Sequence, residues 1–115
     1  MSAWKHIALE KLPECRRLID TADSPMALWI ELHLKFEETY RAKVPDKDLI
    51  RRFYDYARWC LVAPGKGGYQ SDASTAVICS FYEHLPLNDS VRRDLPNWLT
   101  REGFEELREV FRYHL

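Results

Sequence analysis

Three glycines and a lysine fall within VAPGKGGYQSDAS, residues 62 to 74, immediately before a segment that begins as a helix. A glycine-rich turn that aims backbone N–H groups at a helix start can hold an anion, which makes Lys66, Tyr69 and Asp72 a candidate phosphate or small-molecule site. The spacing departs from both familiar versions. GxxxxGK followed by Ser or Thr is not met, and in Gly65-Lys66-Gly67-Gly68-Tyr69-Gln70 a glutamine stands where the third glycine of GxGxxG belongs. The plainer reading is an interhelical connection in which Gly65 ends the preceding helix in a left-handed conformation and Lys66 is exposed and dispensable.

Other reactive side chains are scattered. His6, His33, His84 and His114 belong to no HExxH pattern; His33 and Glu37, and likewise Cys79 and Glu83, are four apart and can share a helical face. Two ligands do not make a metal site, and a lone histidine at a core-facing position reads as a structural residue. Cys15, Cys60 and Cys79 all fall on predicted apolar faces, where a thiol behaves as a small hydrophobe. No residue set points to a cofactor or a metal, and the sequence contains no coherent catalytic set.

A different kind of surface is legible between positions 50 and 61. Arg51, Tyr54, Asp55, Arg58 and Trp59 interleave aromatic and charged side chains on what would be the second face of a helix. Such mixtures mark contact surfaces, and these five residues are the candidate interaction site, with Tyr54, Arg58 and Trp59 expected to be accessible.

The elements that position these residues read as helices throughout. The apolar spacing and cap signals predict helices over 2–11, from Pro13 to about residue 20 or 22, from Pro25 to about 42 with Ser24 as N-cap, and from Asp46 to about 61. Beyond the glycine loop, Ser71 or Asp72 starts a helix ended by Leu85-Pro86. Asn88 caps a short one halted by Pro96, and Thr100 caps the last. The third helix, broadly apolar, is expected to be covered on more than one side. Trp29, Phe36, Phe53, Ala57, Phe81 and Leu107 occupy the apolar centres of their helices and form the predicted core; His84 is placed on the buried side of its own helix.

Length and composition set the outer limits. The 115 residues make one domain, 1–115, large enough to bury a core without a staple. Seventeen basic residues balance eighteen acidic ones, so no global field favours nucleic acid or an anionic membrane. An odd number of cysteines with no CxxC pair, no leader pattern, and no window near the ~18 apolar residues of a membrane span point to a cytoplasmic protein.

ADSPMALWIEL, IRRFYDYARWCL, STAVICSFYEHLP and the terminal DLPNWLT and FEELREVFRYHL together resemble a family of small, uncharacterised all-helical bacterial proteins. Some proteins of this general look are grouped with toxin immunity proteins; the resemblance implies no activity. The expectation is an all-α single domain of six or seven helices packed as successive antiparallel hairpins. Its role would be protein interaction, with a protein partner or a second copy of the chain. The alternative is a small-molecule, anion-binding or enzymatic role at the 62–74 loop.

Overall fold

A computed structural model describes residues 2–65 and 71–112. It contains α1 (Ala3–Lys11), a 3-10 turn (Pro13–Cys15), α2 (Arg16–Thr21), α3 (Pro25–Arg41), α4 (Lys47–Val62) and α5 (Asp72–Ser80). A 3-10 segment (Tyr82–Leu87), α6 (Asp89–Trp98), α7 (Arg101–Glu106) and α8 (Arg108–Phe111) follow. Among the described residues there is no strand, and the chain is all-α.

Side-chain caps start the helices where the sequence placed them. Ser24 accepts from the Ala27 N–H, Asp46 from Leu49, Ser71 from Ser74, Asn88 from Val91 and Thr100 from Gly103, at 3.0 to 3.1 Å. Each satisfies a first-turn donor that has no intrahelical partner, which typically stabilises a helix by ~1 kcal/mol.

Helix ends are less predictable. α4 stops at Val62, and its C-cap Ala63 is extended, with φ −61° and ψ 133°. Pro64 is the cause, because its ring disfavours the helical conformation of the residue before it; Gly65 therefore does not cap this helix. The predicted fifth helix changes to 3-10 geometry after Phe81, with Pro86 unable to donate the α-helical bond to Tyr82. That change of phase buries Leu85 and Pro86 and turns His84 outward. In contrast, α6 runs through Pro96 to Trp98, with Leu99 N–H bonded to the Leu95 carbonyl. The last predicted helix is divided at Leu107.

The core forms where α3, α4 and α5 meet. The most extensive pairing is α3 with α5, while α4 touches α5 and α1. Trp29, Phe36, Phe53, Ala57, Phe81 and Leu107 are all buried, as expected from their helical positions. Phe81 lies at the hub, with its ring against Trp29, Phe36, Tyr54 and Tyr82. The rings meet mostly edge to face, the arrangement their quadrupoles favour.

Polar ties fasten the periphery to this core. The Tyr56 hydroxyl donates to the Trp4 carbonyl at 2.9 Å, joining α4 to α1. Arg52 donates to the Lys11 carbonyl at 3.0 Å and pairs with Glu14 and Asp48. α3 is covered on more than one side, as expected, by α5, α4 and α2; a further side stays open, where Ile30 and Leu34 are 52% and 57% exposed and Met26 lies at the edge.

Candidate functional site

The five residues of the predicted interaction surface do not share one exposed patch. Tyr54 is buried, because Trp98 of α6 stacks on its ring at 5.8 Å and 6° while Phe36 and Phe81 meet it edge-on. The expectation of an accessible Tyr54 fails because α6 continues past Pro96 and delivers Trp98 as a cover. Trp59 is half-buried and lies parallel to Tyr56, with ring centroids 6.3 Å apart. Arg51 is exposed and bound to Asp48 at 2.7 Å. Arg58 pairs with Glu106 of α7.

Three of the five nevertheless converge. Tyr54, Asp55 and Arg58 line a cleft of about 300 Å³ between α4 and the α6–α7 region. Burial orders its lining: Tyr54, Tyr82, Gly103 and Leu107 are buried and make the floor, whereas Asp55, Arg58, Thr100, Glu102 and Glu106 are exposed and make the rim. Half-exposed Leu61, Trp98 and Leu99 complete the walls.

The electrostatics of this cleft are uneven. Three carboxylates face one guanidinium, which is already bound to Glu106, and neither Asp55 nor Glu102 has an ion-pair partner among the described residues. The Tyr54 hydroxyl is buried without a hydrogen-bond partner among the described residues. Burial raises its pKa, reinforced by Tyr40, Tyr82 and Asp94 nearby, so the group stays a neutral phenol.

A second polar cluster lies in a smaller hollow of about 200 Å³. His33 Nε2 is 2.8 Å from Glu37 Oε1, and the His33 and His84 rings are 4.9 Å apart. Burial lowers the pKa of His33, Glu37 opposes that shift and His84 adds to it. The neutral ring then donates from Nε2 to Glu37 and leaves Nδ1 as a buried acceptor without a partner among the described residues. His33 and Glu37 thus share a face as their spacing predicts, and His84 joins them only because the 3-10 segment turns it outward. No three His, Cys, Asp or Glu side chains among the described residues are gathered in a way that could hold a metal ion.

The thiols divide. Cys15 and Cys60 are buried, and burial pushes the Cys60 thiol up to about 11, which suppresses the nucleophilic thiolate. Cys79 is exposed, not in the core. On α5 it follows Thr75 along the outer side, while Ala73, Ala76, Val77 and Ser80 face inward. Of the candidate loop site, Lys66 and Tyr69 lie outside the described residues, and Asp72 is exposed in the first turn of α5.

Trp98, Glu102 and Glu106 are among the cleft residues that sequence reasoning misses. Their signal is a Trp and two Glu flanking the Thr100 cap, but Pro96, which reads as a helix stop, hides the connection. No described helix is long and apolar enough to cross a membrane. Comparison of the chain with protein-family models, curated proteins and solved structures found no match.

Proposed function

We propose that the chain is a protein-interaction module of inhibitor or immunity type, which receives a segment of its partner in the cleft between α4 and the α6–α7 region. The observation that carries this reading is the cleft's composition, with buried tyrosines and a half-exposed tryptophan beneath a charged rim. Tyr, Trp and Arg dominate the binding energy of protein interfaces, most of all where water is excluded around them. At about 300 Å³ the cleft is at the small end of ligand pockets and takes one or two side chains of a partner.

The test is a plug. Peptides selected from a random phage-displayed library against the immobilised protein should lose binding in Asp55→Trp and Glu102→Trp, which place a large ring at exposed rim positions. Circular dichroism and melting temperature verify that both variants are folded. Selected peptides that all bind the folded plug variants unchanged would refute the cleft as the docking site.

A second reading rests on the open side of α3. Met26, Ile30 and Leu34 are spaced four apart and form an exposed apolar ridge. Self-association through that ridge predicts a concentration-dependent dimer in sedimentation velocity that Ile30→Lys abolishes. A monomer at all concentrations removes this reading and leaves the cleft as the interaction site.

A further inference from the structure

We infer that the cleft takes a basic side chain of the partner polypeptide, arginine in preference to lysine, an inference that rests on the interaction reading above. The first support is local charge. The chain as a whole is balanced, with 17 basic and 18 acidic residues, yet among the described residues the rim gathers Asp55, Glu102 and Glu106 around Arg58 alone. Because Arg58 is bound to Glu106, Asp55 and Glu102 remain to meet an incoming cation. Charge complementarity of this kind steers encounter and selects the partner.

The second support is independent of the acids. Tyr54 is 5% exposed and lines the cleft, and its buried hydroxyl has no hydrogen-bond partner among the described residues. A phenol oxygen accepts from an N–H donor, and a guanidinium brings five. Trp98, the half-exposed ring of the lining, attracts a cation through its π face. Leu61 and Leu99 offer apolar wall to the methylene stem. Arginine suits this site better than lysine because its planar head is less strongly hydrated and donates to several acceptors at once.

The experiment uses three end-blocked tripeptides, Gly-Arg-Gly, Gly-Lys-Gly and Gly-citrulline-Gly, with agmatine as a free cation, and follows the Trp98 indole N–H by NMR. The Arg peptide should shift that signal saturably, bind more tightly than the Lys peptide and about tenfold more tightly than the neutral citrulline peptide, and weaken as salt rises. Its binding should disappear in the double variant Asp55→Asn, Glu102→Gln, which keeps the space and removes the charge, and in Asp55→Trp. Equal binding of the arginine and citrulline peptides overturns the inference, as does retention by the folded double variant or no binding by any probe. Agmatine binding as tightly as the Arg peptide would assign the site to a free amine and overturn the polypeptide source. Library peptides that lack basic residues and still lose binding in the plug variants would sink this inference while leaving the interaction reading in place.

Discussion

The Tyr40 hydroxyl, near the end of α3, donates to the carboxylate of Asp94 on α6, 54 positions further along the chain. This bond ties the helix that brings Trp98 over Tyr54 to the central helix of the core, and so it supports one wall of the cleft. Tyr40→Phe should cost roughly 1 to 2 kcal/mol, the range for a lost bond to a charged group that water can partly reach. A double-mutant cycle with Asp94→Asn, measured by denaturant unfolding, should give a coupling energy well above zero. Strict additivity would mean that the two side chains do not depend on each other.

Alkaline pH probes the same bond. Burial and Asp94 push the Tyr40 hydroxyl up to about 12, from an ordinary value of 10.0. A raised pKa in the folded state contributes stability that is complete below about pH 10 and is lost as pH climbs toward 12. Tyr54, Tyr56 and Tyr82 are raised in the same direction by their burial. Phenolate absorbance of these four should therefore appear together with the loss of helical circular dichroism. Free titration of all the tyrosines near pH 10 in a still-folded chain would contradict the packing described.

Phe81→Ala should cost roughly 3 to 5 kcal/mol, as expected for deleting a ring buried among other rings. Trp59→Ala should cost only about 1 to 2 kcal/mol, since Trp59 lies at the edge of the core, partly exposed, and the loss is mainly its stacking on Tyr56. Denaturant titration of both variants tests the ordering. A Trp59 loss as large as that of Phe81 would place Trp59 in the core.

On the acid side the weak point is His33. Its pKa is lowered by burial, so the folded state prefers the neutral ring; the stability this contributes is complete above about pH 6.5 and is lost as pH falls through the folded value. His33→Asn should flatten the decline of stability between pH 7 and 5 that the parent protein shows by urea unfolding. Glu14, whose pKa Arg52 lowers, adds a separate loss that begins near pH 4.5 and should vanish in Glu14→Gln. Identical pH profiles for the parent and His33→Asn would mean that His33 protonates without cost.

The glycine-rich loop keeps its own test. As a plain connection it predicts that phosphate, compared with chloride at equal ionic strength, leaves the melting temperature unchanged, and that Lys66→Ala alters neither stability nor binding. Phosphate-specific stabilisation that disappears in Lys66→Ala would establish an anion site there and displace the interaction reading from first place.

Helix starts and the core were determined by the sequence itself. Ser24, Asp46, Ser71, Asn88 and Thr100 act within three residues of their own positions, and an apolar stripe such as Leu49, Ile50, Phe53, Tyr56, Ala57 and Cys60 has only one side to bury. Both are local rules and need no knowledge of neighbours. The cleft was decided by tertiary structure. Tyr54 and Trp98 are 44 positions apart, and nothing near either one announces that their rings will stack; that depends on α6 surviving Pro96, whose cost falls on a single exposed turn. Likewise Ile30 and Leu34 are apolar by type, yet burial requires another element to arrive, and among the described residues no helix covers that side of α3. Caps and periodicity are properties of a segment, while covers, clefts and ion pairs such as Arg58 with Glu106 are properties of segments that meet.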